Sequence, residues 1–317
     1  MTGPASSARS GPAATGIALA VLSAGTFGTS GIAGSALIGS GWSPAAAAVA
    51  RLGGAAVLLG VPALLQLRGR WALLRQGAGK VTIYGLIAIG GGQLFYFNAI
   101  EYMPIGIALV FEYLGVVLVV GWLWASGAQR PRWLTVAGVI AVIAGLALLV
   151  DLPGPSRIRP IGIVWGLLEA VSLAIYFLLS AGGSEEETLP PLVMAWSGLS
   201  VGAAFLAAAG GLGIVPLAVR ASDVELLHRH LSWLVPVLEL SLVAAVIAYT
   251  AGIAAARRLG AKLASLIGIA EVFFAVLYAW LLLGQRPSAM EFTGGAFMLV
   301  GVILVRADEN QHRVIES

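Results

Sequence analysis

The sequence predicts an all-α integral membrane protein with ten transmembrane helices, arranged as two inverted repeats of five helices each. Its composition excludes a soluble globular domain, because 59% of the 317 residues are hydrophobic and only 10% are charged, whereas soluble domains are typically about 25% charged. The mean hydropathy is +0.95. The number of long apolar runs and the recurrence of one of them are the other two observations on which this fold class rests.

Ten apolar runs are long enough to cross the hydrocarbon core of a bilayer, which is about 30 Å thick. We expect each run to be a helix, because every backbone polar group must be hydrogen-bonded internally in lipid. The predicted segments cover residues 16–38, 45–66, 81–100, 105–125, 133–150, 161–181, 191–213, 233–255, 261–283 and 289–306.

Two stretches of the chain indicate an internal duplication. Residues 103–131 and 259–287 have the same length, end in Gln-Arg-Pro, and each hold one acid, Glu112 or Glu271. Matched positions differ by a constant number of residues, since 287 − 131 = 156 and 301 − 145 = 156. We assign residues 16–150 to the first repeat and 161–306 to the second. Five helices is an odd number, so the second repeat enters the membrane from the opposite side, as in many carriers.

The distribution of Lys and Arg predicts the orientation. Twelve of them fall on the side that holds both termini and five on the other, and the excess belongs on the cytoplasmic side. We therefore expect a multi-pass protein of the inner (cytoplasmic) cell membrane with both termini in the cytoplasm. Residues 1–15 are expected to be a disordered tail and 307–317 a second cytoplasmic tail. A cleaved signal peptide is the alternative for the N-terminus.

Several classes of function are excluded by residues that the sequence lacks. There is no cysteine, so disulfides and thiolate metal sites are excluded, and we predict no metal and no cofactor. The net charge of +3 comes from short loops and does not indicate nucleic acid as a partner. Gly28, Thr29, Ser30 and Gly31 match the pattern of intramembrane serine proteases, but that chemistry needs a base. All three histidines lie outside the apolar runs, so we predict that the protein is not an enzyme.

Buried acids are the strongest candidates for a functional site. A charge in the middle of the membrane costs on the order of 3 kcal/mol, so an acid in a helix normally faces a cavity, a partner or a proton path. Glu112, Glu271 and Glu169 lie well inside predicted segments, and the duplication aims the first two at one central cavity. The alternative is that each acid is protonated or hydrogen-bonded and holds helices together.

Arg51 is the only cation well inside a predicted segment. Its planar guanidinium could bind a substrate carboxylate; the alternatives are that it neutralises one of the acids or extends to the interface. Other donors and acceptors that could line the same cavity are Gln93, Tyr96, Asn98 and Tyr249.

The run from Gly90 to Gly115 resembles the third and fourth helices of the drug/metabolite transporter superfamily, EamA type, and in particular its threonine and homoserine exporter branch. The matching residues are Pro104, Gly106, Ile107, Ala108, Glu112, Tyr113 and Gly115. Arg51 and Tyr176 match in the second and sixth helices. The sequence departs from that pattern at Val116 and Val272, where the family usually has Pro, and at Gln285, where it has Glu. The resemblance implies that Tyr113 and Tyr176 also belong to the substrate cavity.

These observations predict a transporter that exports small polar metabolites, with amino acids or related compounds as the best substrate class, by alternating access. The expected partners are a small-molecule substrate and the lipid bilayer. Protons are a candidate coupling ion, because a carboxylate in a low-dielectric cavity disfavours its charged form unless a cation is near. The alternatives are a drug or lipid-precursor exporter of the same fold, a channel, or a membrane enzyme. The sequence leaves the oligomeric state open.

Overall fold

The computed structural model describes residues 12–103, 105–127, 132–149, 159–182, 189–227, 229–283, 289–290, 293–297, 300–301, 303–305 and 307. The predictions made for Pro104, for Gln285 and for residues 1–11 and 308–317 lie outside these ranges.

The described chain is almost entirely helical. Its helices are α1 Pro12–Phe27, α2 Ser30–Gly39, α3 Pro44–Leu67, α4 Trp71–Gln76, α5 Ala78–Ile83, α6 Gly92–Tyr102, α7 Ile105–Ala125, α8 Trp133–Leu149, α9 Pro160–Ala181, α10 Pro191–Gly211, α11 Leu234–Leu238, α12 Ala248–Gly268 and α13 Ala270–Leu283. Two π-helices, which we name π1 and π2, join α5 to α6 and α11 to α12; they span Tyr84–Gly91 and Glu239–Ile247.

Six helices among the described residues are long and apolar enough to cross a membrane. They cover Ala13–Gly39, Pro44–Leu67, Ala78–Tyr102, Pro160–Ala181, Pro191–Gly211 and Leu234–Gly268. Two shorter apolar stretches, Phe111–Ala125 and Trp133–Gly145, lie within α7 and α8.

Helix boundaries differ from the sequence prediction at three places. The first helix begins at Pro12, four residues early, because proline is preorganised for the first turn of a helix. The predicted first segment is interrupted at Gly28 and Thr29, between α1 and α2. The predicted eighth and ninth segments are separated at Gly260, whose φ of 79° divides α12 within the predicted gap, but the ninth segment is interrupted again at Ile269.

The two repeats correspond in backbone structure as well as in sequence. The π-helices end at Gly91 and Ile247, and 247 − 91 = 156 is the offset of the duplication. Packing is crosswise between the halves: α1 packs against α12, α9 packs against α6 and α7, and α3 packs against α10. Helices from both halves therefore enclose the centre of the molecule.

A small antiparallel hairpin follows α10, in a stretch that the sequence indicated only as a break between segments. Its strands are β1 Val224–Leu226 and β2 Arg229–Leu231, with Glu225 opposite His230. β1 packs against α2. The Ser43 hydroxyl, at the start of α3, donates to the Pro216 carbonyl at 2.6 Å, and thereby ties the loop before the hairpin to the turn between α2 and α3.

Candidate functional site

The candidate site is a cavity at the junction of the two repeats, with a volume of about 50 Å³. Of the ten residues predicted for the substrate cavity, nine line it, and they come from α3, α6, α7, α9, α12 and α13. These nine are Glu112, Glu271, Glu169, Arg51, Gln93, Tyr96, Tyr113, Tyr176 and Tyr249. The structure thus places three carboxyl groups and one guanidinium around one buried space, where charges are expensive.

Asn98 is the exception among the ten predicted residues. Gln93 and Tyr96 are three residues apart in α6 and share a helix face, whereas Asn98 lies on a different face of the same helix. Its side-chain amide donates to the Leu94 carbonyl at 2.7 Å, and Asn98 does not line this cavity.

Arg51 is held by a polar network that joins the two repeats. Its Nη1 donates to Gln93 Oε1 at 2.6 Å and its Nη2 donates to the Ala244 carbonyl in π2 at 2.5 Å. Gln93 Nε2 in turn donates to the Tyr249 hydroxyl at 3.1 Å, across a sequence separation of 156 residues. Gln93 and Tyr249 therefore occupy equivalent positions in the two repeats and meet between them.

The guanidinium does not extend to the membrane interface. Arg51 is only 1% exposed, and its carbon Cζ lies 5.6 Å from the centre of the Phe27 ring, a distance suited to a cation–π contact. Its hydrogen bonds go to an amide and a backbone carbonyl, both neutral. The positive charge of Arg51 is therefore left facing the cavity.

Three buried polar atoms around the cavity have no hydrogen-bond partner in the described structure: Arg51 Nε, Glu169 Oε2 and the Tyr176 hydroxyl. Buried polar atoms are nearly always paired, and each unpaired one costs roughly 1–3 kcal/mol. Their residues are at most 5% exposed. One N–H donor, one carboxylate acceptor and one hydroxyl thus remain for a solute or for water.

Close backbone approach brings the Glu169 carboxyl to the cavity wall. A Cβ atom at Gly92, the first residue of α6, would lie 3.2 Å from Glu169 Oε2 and 3.4 Å from Oε1. Gly252 in α12 makes similar room for the Tyr176 hydroxyl, which would collide with any side chain there. Both unpaired groups of α9 are therefore accommodated by glycines of other helices.

Glu271 differs from Glu169 because it has a close partner. The Tyr113 hydroxyl lies 2.7 Å from Glu271 Oε2 and 2.8 Å from the Gly268 carbonyl, at the end of α12. Glu271 is the second residue of α13, directly after the break at Ile269. Glu169 and Glu271 thus stand in different surroundings, although both line the same cavity.

Sequence reasoning missed the contribution of α1 and of Glu239. Ser23 and Phe27 line the cavity, and the Ser23 hydroxyl donates to the Ala248 carbonyl at 2.8 Å. Glu239 accepts a hydrogen bond from Thr29, beside the interruption between α1 and α2. Only the small-residue composition of the first segment and the acid at the start of π2 could have indicated these contacts.

Comparison with known proteins gives concordant results. A 240-residue alignment, covering 75% of this chain and 76% of the relative, is 23% identical to the uncharacterized inner membrane transporter YicL of Salmonella typhimurium. A solved structure, described only as a crystal structure of a protein, superposes with a TM-score of 0.70 at 21% identity, over 94% of this chain and 98% of the other. The EamA-like transporter family matches residues 14–151 and 160–307. With both repeats matched, and with helices that can cross a membrane, the chain belongs to the EamA-like transporter family and is a multi-pass membrane transporter.

Proposed function

We propose that this transporter exports small polar metabolites from the cytoplasm by alternating access, and that its substrates are amino acids or closely related zwitterions. The observation that carries the proposal is the pair of unpaired polar atoms, Arg51 Nε and Glu169 Oε2, on the wall of one cavity. A zwitterion supplies what each of them lacks, since its carboxylate accepts from the guanidinium and its ammonium donates to the carboxylate.

The energetics favour a charged, polar solute. Hydrogen bonds to charged groups contribute about 1.5–3 kcal/mol each, and the site already holds its polar groups in place, so a solute need not order them. The volume of about 50 Å³ has room for only a few water-sized groups. This favours a small metabolite over a bulky drug or a lipid precursor.

Contacts between loops support the ten-helix arrangement. Lys80 Nζ donates to the Gly182 carbonyl at 2.8 Å, and the Arg159 amide donates to the Tyr102 carbonyl at 3.4 Å. Each contact joins two parts of the chain that the predicted topology puts on the same face of the membrane. Between Tyr102 and Arg159 lie α7 and α8, so both of these helices cross or neither does. We infer that both cross, which gives repeats at 16–150 and 161–306.

The asymmetry between the repeats supports alternating access. The described chain is interrupted between α1 and α2 and again at Ile269, whereas α7 and α9 run without a break. Inverted repeats that adopt unlike conformations expose a shared site to one face at a time. If the two repeats exchanged conformations, the shared cavity would open to the opposite face of the membrane.

The test is substrate counterflow in proteoliposomes with a panel of radiolabelled amino acids. We expect saturable counterflow for at least one amino acid, and we expect Arg51→Lys and Glu169→Gln each to weaken its apparent affinity about 10- to 100-fold. The matched controls are Arg68→Lys and Glu101→Gln, at exposed positions, which should behave like the wild type.

Two results would contradict the proposal. If no amino acid shows counterflow while another class of solute is transported, amino acids are not the substrates. Loss of folded protein in step with loss of transport in Arg51→Lys and Glu169→Gln would mean that these residues hold helices together. Membrane abundance and elution from size-exclusion chromatography separate the second result from a defect in binding.

A further inference from the structure

The Tyr113 hydroxyl faces two acceptors but carries a single hydrogen. It lies 2.8 Å from the Gly268 carbonyl and 2.7 Å from Glu271 Oε2. A carbonyl can only accept, and so can an ionised carboxylate. Both hydrogen bonds can therefore form together only when Glu271 is protonated and donates to the Tyr113 oxygen, which leaves the Tyr113 hydrogen for Gly268.

The Gly268 carbonyl is available because the helix is broken beside it. In a continuous α-helix it would accept from the amide of Val272, four residues later. Here the Val272 amide donates to the Ile269 carbonyl at 3.0 Å instead. The contact with Tyr113 therefore replaces a lost helical bond and fastens the break in the second repeat to α7 in the first.

The same break adjoins the interruption between α1 and α2. A Cβ atom at Gly28 would lie 3.0 Å from the Glu271 carbonyl and 3.2 Å from Phe274 Cβ. The interruption between α1 and α2 and the break at Ile269 thus lie against each other. The backbone just after α1 is therefore in contact with the backbone just after the break.

We propose that Tyr113 and Glu271 form a proton-operated clamp. When a proton enters the cavity and binds Glu271 Oε2, the carboxyl group donates to Tyr113 and the Tyr113 hydroxyl closes on the Gly268 carbonyl. When the proton leaves, Tyr113 turns its hydrogen to the carboxylate and the carbonyl is released. Tyr113 is a positioning residue, which acts on the break through its hydroxyl.

With this clamp, two of the buried acids have different roles, one in binding the substrate and one in binding the proton. Glu169, with its unpaired oxygen, faces the substrate in the proposed function, whereas Glu271 holds the proton. The clamp deepens the proposed function and rests on it only for the effect that the clamp has on transport. The structural change itself needs no substrate, so its test uses purified protein without substrate.

Other titratable groups line the same cavity as Glu271, and they come from five of the surrounding helices. They are Arg51 from α3, Tyr96 from α6, Glu112 from α7, Glu169 and Tyr176 from α9, and Tyr249 from α12. Changes at these positions should shift the pH at which the clamp opens. They should not abolish its response to pH, because none of them is the group that donates to Tyr113.

The experiment is hydrogen–deuterium exchange of the peptide around residues 262–275, measured between pH 5.5 and 8.5 and divided by the intrinsic exchange rate at each pH. We expect wild-type protection to fall about fivefold as the pH rises, since one hydrogen bond to the break is lost. Glu271→Gln should stay protected at every pH, because its amide donates to Tyr113 like the protonated acid. Tyr113→Phe should be unprotected at every pH.

The matched control is Tyr278→Phe. The Tyr278 hydroxyl belongs to α13 and donates to the Gly25 carbonyl at 2.9 Å, outside the cavity lining, so its loss should leave the pH profile unchanged. If Glu271→Gln keeps the wild-type pH response, another acid holds the proton and the clamp is overturned. A wild-type profile that is flat after correction would overturn it as well, whether or not an amino acid is transported.

Discussion

At the scale of the residue, two of the three buried acids are distinguished by their neighbours. Glu271 is paired with Tyr113, whereas Glu169 keeps an oxygen without a partner. Nine of the ten residues predicted from the sequence line the cavity, because ionisable and hydrogen-bonding side chains are rare in apolar runs and costly unless they face a cavity. It could not assign their separate roles, since those depend on hydrogen bonds across helices that are distant in sequence.

Gly115 gives a prediction at this scale. A Cβ atom there would lie 2.6 Å from the Ala170 carbonyl of α9, whereas a Cβ at Gly121 in the same helix would meet nothing within 4 Å. Backbone cannot move aside as a side chain can, so Gly115→Ala should force α7 from α9 and destabilise the protein by about 1–3 kcal/mol. Gly121→Ala should be neutral or stabilising by up to about 1 kcal/mol. Thermal unfolding in detergent measures both, and equal melting temperatures would contradict this packing.

At the scale of the element, the helices follow from the sequence and their interruptions do not. Apolar length predicts where helices lie, because lipid requires internal backbone hydrogen bonds. The π-helices and the break at Ile269 have no such cause. The Ala244 carbonyl in π2 and the Gly268 carbonyl beside the break accept hydrogen bonds from Arg51 and Tyr113, so these irregularities have tertiary partners. The hairpin at Val224–Leu231 was missed for a similar reason, since strands of three residues leave little periodicity to read.

Gly260 is the exception, because this interruption depends on the backbone conformation of a single glycine and not on a tertiary partner. Its φ of 79° and ψ of 162° fall in a region that is essentially restricted to glycine, and a side chain there costs about 1–3 kcal/mol. A Cβ atom would meet no neighbour within 4 Å, so any effect of Gly260→Ala must come from the backbone. We expect Gly260→Ala to lower the melting temperature. Gly79→Ala should not lower it, because Gly79 is helical and its surroundings are equally open. Equal stability of the two variants would mean that the turn tolerates a side chain.

At the scale of the whole molecule, the internal duplication was the most informative feature of the sequence. The offset of 156 residues relates the ends of the π-helices and also relates Gln93 to Tyr249, which are hydrogen-bonded to each other. A repeat explains why one cavity draws on both halves of the chain. It does not determine which helices pack crosswise, because that depends on how the two repeats are docked.

The last prediction concerns membrane topology, and the absence of cysteine makes it simple to test. Ser126 follows α7 and Ser222 precedes the hairpin, and both are exposed. In the ten-helix arrangement three helices, α8, α9 and α10, separate these positions. A membrane-impermeant maleimide should therefore label Ser222→Cys in intact cells and Ser126→Cys only after permeabilisation. A reporter fused after Ser317 should report the cytoplasm. If α7 and α8 do not cross, Ser126→Cys and Ser222→Cys will be labelled alike from outside, because the loop contacts allow these two helices to be lost only together.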